Sequence, residues 1–328
     1  MTATFRPPLW LPGGHLQTLW RKLANPVQTL QRQRERVQLP DGDFVDLDWL
    51  RTTRATEKPL VFLLHGLAGS SDSPYILSMQ DLLQQQGYDS VAMNLRGCSG
   101  DFNRLAVAYH SGCSHDVEAV MDQLLLSPRK LVVMGYSLGA NVLVKWLTET
   151  RHQRSVKGAV SVSNPFSLAL CCERMNSGLA SVYGRYFLNR LRQDLHAKAR
   201  HFEQQGADAE LAAIRALGPL DGLKTLWDFD DAVTAPLHGF AGALDYYERC
   251  SSRRFLPAVR QPLLILHALN DPIIPPAALP QPGEMPDGVQ HEWLPAGGHV
   301  GFAARGDALW LERRLLRFIQ TLHGTQPG

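Results

Sequence analysis

No run of 18 or more apolar residues occurs in this 328-residue chain, so no helical membrane span is expected. Charge of one sign is also missing: 33 Lys and Arg against 31 Asp and Glu leave a net +2. That balance supplies no long-range field for gathering a polyanion, and a nucleic-acid partner is not expected. Cysteine is sparse, with five residues and no CxxC pair, which argues against both a disulfide framework and a structural zinc site. Reduced thiols and a cytoplasmic location are the expectation. Neither HExxH nor GxxxxGK[ST] is present, so no metal, phosphate cradle or cofactor is expected. The opening MTATFRPPLWLPGG lacks a basic n-region and an unbroken apolar stretch, and does not read as a signal peptide.

What is present is an ordinary globular balance, 45% hydrophobic and 20% charged. The first 30 or so residues read as irregular, because Pro and Gly interrupt any long amphipathic helix. They nevertheless carry Trp10, Leu11, Leu16, Leu19 and Trp20, which we expect to dock on the body, with peripheral contact to a membrane surface as the alternative. Two alternating runs around Asp41-Gly42 read as a β-hairpin. From Leu60 onward, short apolar runs (Leu60–Leu64, Ser90–Leu95, Leu131–Met134, Gly158–Val162) alternate with helical stripes. That rhythm predicts an α/β fold, a mostly parallel sheet flanked by helices. It lapses between residues 165 and 255, where no strand pattern appears, and we expect a helical cap inserted into a single domain covering 1–328. Strands resume at Leu263–His267 and Val289–Leu294. A closing helix carries Leu311, Leu315, Phe318 and Leu322, with Gly324 as its stop.

Gly135-Tyr136-Ser137-Leu138-Gly139 matches GxSxG, a pattern that chance alone produces in about one chain of this length in ten. Its setting sharpens it: an apolar strand (LVVM) precedes it and a helix (LGANVLVKWL) follows. In such a turn the Ser137 hydroxyl is lifted clear of the strand's end, beside a helix N-terminus that favours developing negative charge. A serine needs a base and the base needs an orienting acid. In this class of sheet both follow the serine in the chain, on loops after late strands. Asp271, after LLILHA, and His299, after QHEWL, occupy those places, 28 residues apart. His291 lies within a strand, His267 reads as a core residue, and His110 and His115 precede the serine. Asp228, Asp230, Asp231 and Asp245 fall in the expected cap, where helix capping and ion pairing are their ordinary uses. The loop His65-Gly66-Leu67-Ala68-Gly69 ends the first buried strand, where oxyanion donors belong, so the Leu67 and Leu138 backbone N–H groups are the candidates. His65 and Arg96 read as loop braces.

HGLAG, NLRGCSG, GYSLGAN, NDPIIP and GGHVGF, in this order, resemble the α/β-hydrolase superfamily. GGHLQT, LPDGDFVDLDW, SDSPY and DFDDAVTAPLHGF narrow the resemblance to YheT-like hydrolases, over nearly the whole chain. The resemblance implies Ser137 as nucleophile, Asp271 as acid, His299 as base, no cofactor, and a small-molecule carboxylic ester as substrate. The expected cap's apolar and aromatic residues suggest lipid-like or medium-chain acyl esters. An acyltransferase built on the same three side chains, and a non-catalytic binding protein on the same fold, are the alternatives.

Overall fold

The computed structural model describes residues 5–24, 29–53, 57–126 and 129–322. An antiparallel hairpin, β1 (Gln33–Gln38) and β2 (Phe44–Leu50), opens an eight-stranded sheet, with the turn at Asp41-Gly42 as expected. The remaining strands are β3 (Leu60–Leu64), β4 (Ser90–Asn94), β5 (Leu131–Tyr136), β6 (Val156–Val162), β7 (Leu263–Ala268) and β8 (Val289–Leu294). The spatial order is β1-β2-β4-β3-β5-β6-β7-β8, and every pairing from β4 to β8 is parallel. The run LVFLL of β3 shows why continuous apolar sequence goes with a parallel sheet. Leu60, Phe62 and Leu64 join one hydrophobic cluster while Val61 and Leu63 join the other, on the opposite face.

Helices α2 (Pro74–Gln85), α3 (Ser114–Leu124), α4 (Leu138–Glu149) and the closing α11 (Trp310–Thr321) cover the two faces. The order β4-β3-β5 reverses direction between β3 and β5. The C-terminal ends of those two strands therefore open the crevice where sheets of this kind bind ligands. Between β6 and β7, α5 (Leu168–Arg174), α6 (Ser181–Gln205) and α7 (Asp208–Arg215) come first. Short helices α8 (Leu226–Phe229) and α9 (Ala235–Leu237) then flank a π-helical turn at Asp230–Thr234, and α10 (Ala243–Cys250) follows. No strand occurs there among the described residues.

One local expectation is corrected. The N-terminal stretch is not irregular throughout: Gly14–Ala24 forms helix α1. Pro7, Pro8 and Pro12, which discouraged a helix, all lie before its first turn. Its docking is also other than expected, since Leu11 is buried whereas Trp10, Leu16, Leu19 and Trp20 are exposed. Gly324, the expected stop of α11, lies outside the described residues.

Candidate active site

Ser137 sits in the turn between β5 and α4 at φ 52° and ψ −123°, a region costly for a residue with a side chain. The surroundings hold it there. Its N–H donates to Val162 O on β6 (2.9 Å), and its carbonyl accepts from the N–H groups of Ala140 (2.9 Å) and Asn141 (3.2 Å). The two glycines of GxSxG have a steric reason. A Cβ at Gly135 would lie 2.5 Å from Gly139 O, and one at Gly139 would lie 2.4 Å from His65 O. Only bare backbone lets α4 start this close to β3 and β5.

His299 projects from the loop after β8, where Gly297, Gly298, Val300 and Phe302 all have positive φ. Positive φ at a β-branched valine is a true outlier, held by the Val300 N–H donating to Ser163 Oγ at 3.1 Å. The imidazole Nε2 is 2.8 Å from Ser137 Oγ, and Nδ1 is 2.8 Å from Asp271 Oδ2. Asp271, in the loop after β7, also accepts at Oδ1 from the N–H groups of Ile273 (2.8 Å) and Ile274 (3.1 Å). Burial by itself would push the Asp271 carboxyl up. The nearby His299 charge and hydrogen bond, joined by Ile273 N–H, outweigh burial and hold it below the usual carboxylate range. The structure thus brings together Ser137, His299 and Asp271 from three separate loops.

On the loop after β3, His65 braces the backbone. Its Nδ1 lies 2.8 Å from Gly66 O, and Nε2 accepts from Leu95 N–H at 3.1 Å. Complete burial pushes His65 down to about 4, so the ring is neutral. Gly66 N–H donates to Tyr75 Oη (3.0 Å) and Ala68 N–H to Tyr109 Oη (2.9 Å), which leaves the N–H of Leu67 between them. Among the described residues, neither Leu67 N–H nor Leu138 N–H donates to a protein acceptor. Arg96 ties the next loop to Asp116 through two 2.7 Å bonds and reaches Asp41 (2.7 Å) and Asp43 (3.3 Å).

A cavity of about 720 Å³ meets Ser137 and His299 and is walled about half by the helical segment, with Met175, Phe187, Leu191, Leu195 and Phe229 among its apolar contacts. Most of the rival residues have ordinary partners. Asp228 completes a capping box with Thr225, Asp231 accepts from Ala243 N–H, and Asp245 pairs with Arg249. Asp230 differs: it lines the cavity, accepts from Thr234 and from Tyr247 Oη, and burial pushes it up to about 6 against those two bonds. Among the described residues, the buried His267 ring has no hydrogen-bond partner, and His110 packs against His238 at 4.3 Å between ring centroids. Among the described residues, Glu118, Asp122 and His152 are grouped closely enough to hold a cation. Arg151 already lies on both carboxylates, at the end of α4 remote from Ser137, roughly 18 Å along the helix axis.

Two residues escaped the sequence reading. Thr18 Oγ1 accepts from His299 N–H at 2.8 Å. Gln17 grips the far side of the same loop, accepting from Ala303 N–H (2.8 Å) and donating to Ala303 O (3.2 Å). A Cβ on Gly298 would lie 2.4 Å from Gly14 O, so helix and loop touch backbone to backbone. The available signal was GGHLQT itself, with Gly14, Gln17, Thr18 and Arg21 at helical spacing.

A family model described as alpha/beta hydrolase fold matches residues 59–304. YheT of Escherichia coli (strain K12), named as an esterase, is 36% identical over 98% of this chain and 94% of its own length. Phospholipase ABHD3 of Mus musculus is 27% identical over 99% of this chain and 80% of its own length. Among solved structures, the Pyrococcus furiosus esterase Pf2001 superposes with a TM-score of 0.56 at 14% identity, covering 90% of this chain and 98% of that one, a likeness of fold. With the sheet, the serine turn and these relatives in agreement, the chain belongs to the α/β-hydrolase family, in its YheT-like branch.

Proposed function

We propose that this protein is a serine hydrolase that cleaves carboxylic esters through an acyl-enzyme. The two 2.8 Å contacts that link Ser137 Oγ to His299 and His299 to Asp271 carry this reading. In the first step, Ser137 Oγ attacks the ester carbonyl carbon while His299 Nε2 takes the hydroxyl proton. The negative charge that develops on the carbonyl oxygen is met by the free Leu67 and Leu138 N–H groups and by the N-terminus of α4. Collapse breaks the ester C–O bond, and His299 returns its proton to the departing alcohol. Water, deprotonated by the same imidazole, then attacks the acyl-enzyme and releases the acid. Asp271 stays ionised, holds the proton-bearing Nδ1 and stabilises the imidazolium, in keeping with its lowered pKa.

The helical segment 165–255 acts as the cap of this site. A cavity of about 720 Å³ whose lining is more apolar than polar suits lipid-like or medium-chain acyl esters, and lies within the usual size of ligand pockets. The lipid activity in the name of the mouse relative points the same way. No described helix is long and apolar enough to cross a membrane. All five cysteines are free thiols, which supports a cytoplasmic location.

A fluorophosphonate probe tests the mechanism. Covalent labelling of the wild type that disappears in Ser137→Ala is expected, with hydrolysis of p-nitrophenyl esters falling at least about 1,000-fold. An unlabelled wild type, or equal labelling of Ser137→Ala, overturns the proposal. Product analysis with an added alcohol separates hydrolysis from acyl transfer: strong preference for the alcohol over water would make the protein a transferase.

A further inference from the structure

Helix α1 is inside out. Gly14, Gln17 and Arg21 face inward and are buried, and Thr18 beside them is half-buried. These residues bond to the His299 loop and to Glu312, so the helix is seated by its polar side. The opposite side carries Leu16, Leu19 and Trp20, also at helical spacing, with Leu16 47% and Leu19 43% exposed. Just before the helix, Leu9 is 87% and Trp10 62% exposed, and Trp10 packs edge-on against Trp20 at 4.6 Å. A helix of a water-soluble body normally points such a stripe at the core. Here the body already occupies the polar side, and a concentrated apolar patch of this kind marks a contact with something else.

The neighbouring element extends the patch. His15 stacks on Tyr183 of α6 (ring centroids 5.7 Å, planes 11° apart), and the same turn region exposes Leu179, Val182 and Tyr186. One and two turns farther along α6, Phe187 and Leu191 line the cavity, so the surface leads toward the site. Its charge is mainly basic. Arg6 and Arg21 lie on the first stretch, and residues 174–193 contain four arginines, flanked by exposed Glu173 and by Asp194. Arg21 is taken by Glu312, Arg190 by Asp194 and Arg192 by Asp221. Among the described residues, exposed Arg6, Arg174 and Arg185 pair with no carboxylate. Exposed indoles and leucines rimmed by unpaired guanidinium groups match an anionic bilayer, which offers an apolar boundary beneath negative headgroups.

We propose that α1, the residues just before it and the start of α6 form a docking face for anionic lipid membranes. Docked there, the protein has its cavity beside the surface that supplies lipid-like esters, so the substrate part of this inference rests on the function proposed above. Flotation with phosphatidylcholine vesicles, with and without phosphatidylglycerol, provides the test, using the full chain, Leu16→Glu/Leu19→Glu and Arg6→Glu/Arg185→Glu. The wild type should float with anionic vesicles at least 10-fold more than with neutral ones. Both double variants should lose at least 10-fold of that binding, while thermal unfolding and hydrolysis of a short, water-soluble p-nitrophenyl ester stay within two-fold of wild type. Vesicle binding that is absent in the wild type, unchanged in the variants or equal on neutral vesicles overturns the proposal. So does a wild-type dimer in sedimentation that Leu16→Glu/Leu19→Glu dissociates, which would assign the face to a second copy. Loss of soluble-ester hydrolysis in the wild type would instead sink the esterase reading, and flotation reports independently of it.

Discussion

Helices α4 and α1 both serve the Ser137–His299 pair, yet they are fixed in place by opposite physics. α4 starts at Ser137 and buries nearly all of itself, with Leu138, Val142, Leu143, Val144 and Trp146 in the core. Each such side chain contributes on the order of 1.5–3 kcal/mol by leaving water. α1 holds the His299 loop through Gln17 and Thr18, and the buried Arg21–Glu312 pair ties it to α11, while Leu16 and Leu19 face out. Its neutral hydrogen bonds are worth about 0.5–1.5 kcal/mol each, net of the water they displace. Ser137, the proposed nucleophile, is therefore mounted on the hydrophobic core, and His299, the proposed base, on a largely buried polar clamp. Apolar burial is strong and non-directional, whereas hydrogen bonds are weak and fix an orientation, which suits a loop whose imidazole must point at a hydroxyl.

This contrast can be broken by three substitutions of decreasing effect. Leu143→Ala, at a fully buried position of α4, should cost about 2–5 kcal/mol in urea unfolding, and a value under about 1 would deny α4 its anchoring role. Thr18→Val leaves the His299 N–H without its acceptor. It should lower kcat about 10-fold with KM within two-fold, equivalent to roughly 1.4 kcal/mol, and Thr18→Ser should restore the rate. Unchanged kcat in Thr18→Val would show that α1 does not position the base. Leu19→Ala, on the outer side of α1, should shift stability by no more than about 0.5 kcal/mol. A loss comparable with that of Leu143→Ala would mean the outer side is packed after all.

The same contrast explains what could be read in advance. The strands β3–β8, the Asp41-Gly42 hairpin turn and α4 announce themselves because apolar burial writes a period into the sequence. Ser137, Asp271 and His299 could be nominated because each follows a strand in the order this sheet demands, and the structure places them in mutual contact. In the HGLAG loop the sequence nominated the Leu67 N–H by its place, and the structure adds why it is free: Tyr75 and Tyr109 bond its two neighbours. Thr18 and Gln17 were missed because a polar residue on a helix ordinarily faces water, and nothing local says that this helix is turned over.

The sequence by itself determined the alternation of strand and helix and the turn that exposes Ser137. Both carry local marks in the sequence: side-chain period, the glycines beside the serine, and helix initiation. Only the tertiary structure decided which side of α1 meets the body, which N–H groups stay free, and that Asp230 closes one wall of the cavity. Those outcomes depend on partners 9 to 291 positions away, whose hydrogen bonds and contacts leave no local periodicity.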